Sequence, residues 1–261
     1  MKNKEQLKIL FGQILVHLSI VPMIIYGSPW QWSLTIMLYF FQVGWGISLC
    51  NHRYLSHKTF VLKSKLLKTF LLFCSTVSLQ GSALAWVAMH REHHAHSDDI
   101  GDPHRPKDGF FHSYFLSMMH TPNIRYIKDH LRDTDVTWFH KHYWKINLTY
   151  SVLLFAIFGP MGPVVGHLIP AFFTWQAVGM VNAVAHVDIK MPWILGYKSY
   201  ETGDDSKNLP LIGVLAFGEG WHNNHHQDPR NPSFTRLWYE WDLMAQILSL
   251  LVKFRLAEYT A

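Results

Sequence analysis

The chain has 261 residues, of which 49% are hydrophobic, 15% aromatic and only 16% charged, with a formal net charge of +5. Soluble domains carry roughly a quarter charged residues, so this composition argues against a soluble globular enzyme and for a membrane protein. Lys and Arg cluster between apolar spans, which suits anionic lipid headgroups and leaves no nucleic acid partner expected, while Cys50 and Cys74 lie outside any C-x-x-C pair and exclude a zinc knuckle, a redox dithiol or a disulfide framework.

No Asp, Glu, Lys or Arg occurs from Ile9 through His52, an uncharged run of 44 residues. One membrane crossing needs about 20. The run is interrupted by GSPWQW (Gly27 to Trp32), whose Gly, Pro and tryptophans suit a tight reversal at a membrane interface. Two spans are therefore predicted, over about 8–26 and 31–51. A cleavable signal peptide fits less well, because the second apolar run follows at once.

Thr69 to His90 is also uncharged, for 22 residues, but its middle, STVSLQGSA, is polar for a crossing. It reads as a helix in or beneath the interface, followed by a second helix starting near Ser82. Ile146 to Val187 is a further uncharged run of 42 residues, broken by GPMGPVVG (Gly159 to Gly166), and gives spans over about 144–160 and 164–186. Neither short turn carries a Lys or Arg. Lys2, Lys4, Lys8, Arg53, Lys58, Lys141, Lys145 and Lys190 flank the other ends, so the positive-inside rule puts those flanks and both termini in the cytoplasm. The charged, aromatic-rich remainder, 52–143 and 187–261, should form a cytoplasmic cap. The predicted fold class is all-α integral membrane: a single domain over 1–261, four transmembrane helices in two hairpins, and a helical cap.

The cap sequence is dense in histidine. HRYLSH supplies His52 and His57 after the second span, HREHH supplies His90, His93 and His94, NAVAH supplies Asn182 and His186, and HNNHH supplies His222, His225 and His226. Residues three and four apart share a helix face, so each H-x-x-H-H triplet presents three imidazoles to one side. Neutral imidazole is a common metal ligand. Buried together without metal, so many rings would lose hydration and need partners. A lone His on an apolar face is usually a packing residue, and one triplet could arise by chance; two triplets, a pair and an Asn/His pair at one end of the spans point to a metal site. His17, His96, His112, His120, His130, His140, His142 and His167 are read as surface, interface or packing residues, and His104 as a supporting or structural one. One shared site requires that Thr69 to His90 not cross the bilayer, hence four spans and not five. Nine ring nitrogens are too many for one ion and fit two. Imidazole suits iron, copper, nickel or zinc, and these residues do not choose among them.

The three boxes, with HRYLSHKTF, LQG, HREHHAHSDDIGDPH, GFFHSYF, NAVAH, GYKSY and GEGWHNNHH, resemble the stearoyl-type (delta-9) membrane fatty acyl desaturases over about residues 30–230. The resemblance implies an oxygen-dependent enzyme with two non-haem Fe ions that places a cis double bond, at delta-9, in a saturated acyl chain, with O₂ as co-substrate. It implies His52, His57, His90, His94 and His225 on one iron, His93, His186, His222 and His226 on the other, and Asn182 holding a water on the second. An unactivated methylene offers no handle for acid–base chemistry, so the cofactor carries the hard step and the protein positions the substrate. An apolar tunnel from a cytoplasmic mouth is expected, with Gln80, Trp86 and Trp175 as candidate lining residues. Animal acyl-CoA members carry Arg-Asp before the second box, where this chain has Ala88 and Met89; that favours an acyl-lipid over an acyl-CoA substrate. Arg105, Lys107, Arg125 and Lys128 are candidate phosphate contacts, or simply a basic membrane-facing surface. With no b-type cytochrome domain fused to it, the chain should take electrons from a separate donor, ferredoxin or a b-type cytochrome. The alternatives are a related di-iron hydroxylase, acetylenase or alkane monooxygenase, and a metal transporter, which would instead line its spans with ligands.

Overall fold

The computed structural model describes residues 2–190 and 192–260. Among the described residues, three helices are long and apolar enough to cross a membrane: α1 (Gln6–Tyr26), α2 (Pro29–Ser56) and α7 (Met161–Val184). The α1–α2 reversal lies in GSPWQW. Ser28 caps α2 by accepting from the Gln31 N–H, the Gln31 side chain answers to the Ser28 N–H, and Pro29 occupies the first helical position.

The expected third span, α6 (Tyr143–Phe158), is apolar but has only 16 residues. That is about 24 Å of helix against roughly 30 Å of hydrocarbon. It nonetheless presents a lipid-like face, with Leu148, Val152, Phe155 and Phe158 all exposed. Gly159, in the left-handed region (φ 68°), ends it and turns the chain into α7.

The interfacial stretch resolves into α3 (Lys65–Val77) and α4 (Ala83–His96), separated by a break in which Leu79 and Gly81 have positive φ. Ser82 caps α4 through the Ala85 N–H, at the start expected from the sequence. Beyond it, α5 (Thr134–Lys141) precedes α6, and α8 (Pro210–Leu215), α9 (His222–Gln227) and α10 (Leu243–Lys253) complete the C-terminal part. The all-α expectation omits one antiparallel ladder, β1 (Phe60–Leu62) with β2 (Ala257–Tyr259), which ties the C-terminal segment to the chain just beyond α2.

Two features of α2 differ from the sequence expectation. It continues past the predicted end near residue 51, so His52 lies on it and His57 caps it. From Phe40 to Ser56 it winds as a π-helix, and the His57 N–H donates to the His52 carbonyl, five residues back. α2 and α7 run side by side in the same direction. Thr35 bonds the Val165 carbonyl, Gln42 meets His167 and Thr174, and Val43 and Ile47 pack with Ala177, Val181 and Ala185 further on. α3 lies against α2 at Gly46, where a Cβ would stand 2.7 Å from the backbone of Cys74. The largest core cluster, including Leu49, Leu71, Leu72, Leu84, Val87, Met244 and Leu248, joins α2, α3, α4 and α10. Two parallel helices and a helix braced against one of them thus bring the ends of α2, α4 and α7 to one place.

Candidate metal centre

At that place the histidines converge. One nitrogen from each of His52, His57, His90, His94 and His225 lies within 4.8 Å of the others, and the same holds for His93, His186, His222 and His226. The two sets adjoin, with the His94 and His226 rings 4.5 Å apart. The sequence reading grouped the same residues. The five-residue spacing of His52 and His57 would put the rings on different sides of an ordinary α-helix. The π winding of α2 brings their centroids to 5.1 Å. On α4, His90, His93 and His94 share a face at ordinary helical spacing, and His222, His225 and His226 do so on the short helix α9.

Carboxylates that the sequence reading left without a role hold four of the rings. The Nδ1–H of His52 donates to Glu219 (2.5 Å), that of His93 to Asp102 (2.9 Å), that of His186 to Asp98 (3.0 Å) and that of His226 to Asp204 (2.7 Å). Such partners fix the tautomer and turn Nε2 inward as a lone pair. The only sequence signal was the unusual presence of Asp and Glu beside apolar spans and histidine boxes. Glu219 is itself braced by Arg53, whose fully buried guanidinium reaches Glu219 at 2.8 Å and Asp242 at 2.7 Å and lies over the Phe234 ring.

This arrangement fits a cation. His93 and His226 both commit Nδ1–H to a carboxylate, so their Nε2 atoms face each other at 3.3 Å as two acceptors with no proton between them. His225 Nε2 sits 2.9 Å from that of His52 and 3.0 Å from that of His94. Only a positive centre satisfies lone pairs gathered in this way. The protonation states agree. Burial, reinforced by like-charged neighbours, holds His57, His90, His93, His94, His222 and His225 well below the usual imidazole value, in the neutral, ligating form. Burial alone would raise Glu219, but the His52 and Arg53 pairs outweigh it and hold the carboxyl at about 2. The hydrogen bond from His186 likewise keeps Asp98 low against its burial, and that from His226 keeps Asp204 low.

Seven of the remaining histidines bond elsewhere. His17 bonds the Gln13 carbonyl and Gln176, His112 the Pro103 carbonyl, His120 Glu92, His130 the Leu55 carbonyl, His140 Ser82, His142 the Trp138 carbonyl, and His167 both Ser151 and Asn147. His96 meets Arg125 at the surface. His104 is buried against His93 with its rings 4.1 Å apart. Arg105 and Lys107 are paired with Asp108 and Asp205, Arg125 lies over the Tyr126 ring, and Lys128 is exposed.

Apolar space lies beside the histidines. A cavity of about 580 Å³, bordered by Lys8, Lys141 and Trp144, runs in past Gln80 to Trp86, Met89, Met118 and Trp175. Gln80, Trp86 and Trp175, singled out in the sequence, all line it. Trp86 is also a wall of two narrow spaces beyond, of about 20 and about 30 Å³. The wider of these is lined by Val43, Ile47, Ala177, Val178, Val181 and Ala216 together with His52, His90, His93 and His222. Ala88 packs in the core, and Met89 faces the large cavity.

Residues 27–259 match the family described as fatty acid desaturase. Among curated proteins, the chain is 33% identical over 245 residues to the sn-1 stearoyl-lipid 9-desaturase of Anabaena variabilis, covering 88% of this chain and 87% of that one. It is 30% identical over 245 residues to the sn-2 palmitoyl-lipid 9-desaturase of Nostoc sp. (strain 36), covering 88% and 83%. It is 32% identical over 259 residues to the chloroplastic palmitoyl-monogalactosyldiacylglycerol delta-7 desaturase of Arabidopsis thaliana, covering 95% and 67%.

Proposed function

The chain belongs to the fatty acid desaturase family, and from that premise we propose that it places a cis double bond, at delta-9, in a saturated acyl chain carried by a membrane lipid. It is an oxidoreductase acting on fatty acyl chains. The observation that carries the metal reading is the double convergence of imidazole lone pairs, five from one set of histidines and four from the other. Two iron ions bound there would supply the activation of O₂ that hydrogen removal from a methylene requires.

The chain's own residues do the rest. Glu219, Asp102, Asp98 and Asp204 keep the imidazole protons on Nδ1 and so orient Nε2. The cavity along Met118, Trp175 and Trp86 binds the acyl chain and excludes water, and its narrowing at Trp86 fixes which carbons face the histidines. A bend at that wall favours the cis product. Uncharged Ala88 and Met89 and the paired state of Arg105 and Lys107 argue for an acyl-lipid over acyl-CoA.

In this reading α1, α2, α6 and α7 are four crossings in two hairpins, with the short α6 accommodated by local thinning of the bilayer or snorkelling of its flanking residues. The histidine-rich cap and both termini are cytoplasmic, and a separate ferredoxin or b-type cytochrome delivers electrons there. The hydroxylase, acetylenase, monooxygenase and transporter alternatives are not favoured: the relatives named above are desaturases, and the histidines gather at one end of the helices and not along them. The test is expression in a host without desaturases but with a competent donor, followed by location of double bonds in the lipids by mass spectrometry. A new cis-monoene, absent with His93→Ala, is expected. Unchanged lipids with iron-loaded protein present would refute the assignment.

A further inference from the structure

Tyr39 follows Pro29, the first residue of α2, by ten positions. That places it about 15 Å along the helix, roughly halfway across 30 Å of hydrocarbon. Its hydroxyl donates to the Leu215 carbonyl at 2.8 Å. The end of α8 therefore lies beside the inner half of α2 and not beyond its cytoplasmic end, although α8 belongs to the part of the chain expected to form the cap. Other contacts agree. Ile212 and Ala216 pack with Val43 and Ile47 of α2 and with Ala177 and Val181 of α7. The Phe217 ring sits 5.7 Å from that of Tyr39 and 5.1 Å from that of Phe40.

The other side of α8 is apolar and uncovered. Leu211, Val214 and Leu215, at the spacing of one helix face, are exposed, as are Ile36 and Met37 on α2. The backbone beyond α8 is closed off, as a hydrocarbon setting demands. The N–H groups of Ala216, Phe217 and Gly218 donate to the carbonyls of Ile212, Val214 and Gly213, and the carbonyls of Leu215, Ala216 and Phe217 accept from Tyr39, Glu219 and Met244. Phe217 (φ 55°) and Gly218 (φ 122°) make the reversal, and the Leu209 N–H closes its neck on the Gly220 carbonyl at 2.7 Å. Just before the neck, Asn208 pairs with Tyr197, on which the exposed Trp193 stacks at 5.5 Å. Lys190 and Lys198 flank that Trp in sequence. Trp and Tyr beside lysines suit the headgroup level of a membrane.

We propose that residues 209–220 form a re-entrant wedge that dips into the cytoplasmic leaflet and presents Leu211, Val214 and Leu215 to the acyl chains of the bilayer lipids, with Trp193 at headgroup level. This rests on the reading of α2 as a membrane crossing with a cytoplasmic end. The occupant is lipid because this face stands beside the embedded part of α2 and continues its exposed apolar surface, and because the six backbone groups of the reversal are all paired. The returning limb carries Glu219 to His52, and α9 begins two residues past the neck. The third histidine box thus hangs from a hairpin held in lipid.

The test places a nitroxide label on Leu215→Cys and, separately, on Val214→Cys of the full chain in phosphatidylcholine vesicles. Ile36→Cys is the lipid reference and exposed Lys128→Cys the aqueous one. Cys50 and Cys74 are buried, and the parent protein carried through the same labelling gives the background. Power saturation compares collisions with O₂, which concentrates in hydrocarbon, against collisions with a water-soluble nickel chelate. Thermal unfolding checks that each labelled protein is folded, and the second position decides if one variant is not. Both wedge labels should give the oxygen-to-nickel ratio of Ile36, several-fold above that of Lys128. A folded variant as open to nickel as Lys128 would overturn the proposal. So would shielding from both reagents, which would mean that protein, a second copy included, covers the face. An Ile36 label itself open to nickel would instead remove the crossing reading.

Discussion

Replacing Glu219 tests whether the carboxylates around the histidines tune the metal site. Glu219 accepts from His52 at 2.5 Å, from Ser48 at 2.6 Å and from Arg53 at 2.8 Å. Glu219→Gln keeps the shape and one acceptor but loses the charge that polarises His52. Loss of such a partner typically lowers metal affinity about 10–100-fold, which is roughly 1.4–2.7 kcal/mol. Glu219→Ala does more, because it also strips one of two carboxylates from a fully buried guanidinium. Breaking a buried pair costs about 3–5 kcal/mol. Asp242 remains 2.7 Å from Arg53, so the low end, about 3 kcal/mol, is expected, a large share of a typical 5–15 kcal/mol stability. The assay is iron retained per chain during equilibration against a graded chelator series, with thermal unfolding of the same samples. Gln should weaken iron with a small loss of stability, and Ala should lose both. Parental iron affinity and turnover in Glu219→Gln would refute the orienting role.

Three further outcomes are expected. Metal-stripped protein should hold its stability above about pH 6.5 and lose it as the pH falls, because an unfolded imidazole takes up a proton near 6.5 while buried His57, His90, His93, His94, His222 and His225 resist until lower; a melting temperature flat from pH 7.5 to 5 would contradict this. Gly46→Ala should destabilise by about 1–3 kcal/mol, read as a lower denaturation midpoint, because its Cβ would press on the Cys74 backbone rather than on a movable side chain. Ala216→Leu should fill much of the roughly 30 Å³ space it lines and shift the monoene products towards shorter acyl chains; an unchanged chain-length profile by gas chromatography would show that this space lies off the acyl path.

Much of the architecture was legible because membranes impose coarse rules. Uncharged runs with Gly and Pro at their midpoints located both reversals, and Ser82 located the start of α4 through its capping chemistry. The two H-x-x-H-H triplets were legible because helical spacing alone aligns their rings. The rest depended on tertiary pairing. Asp98, Asp102, Asp204 and Glu219 lie 9 to 167 positions from the histidines they hold, spacings that carry no local pattern. Arg53, read as a flanking positive charge, is instead buried beneath Glu219. The end of α2 was set too early because the interfacial reading assumed a helix stops where charge begins, whereas here the charges are internally paired.

The five-residue period at the end of α2 limits how this motif could be reused. An ordinary α-helix advances about 100° per residue, so five residues would leave His52 and His57 about 140° apart. A designer grafting the pair onto a straight helical bundle would need to respace it to three or four, or import the wide winding with it. By the same logic, a one-residue insertion between them, which makes the spacing six, would leave the chain's apolar pattern almost untouched and still aim one ring out of the centre.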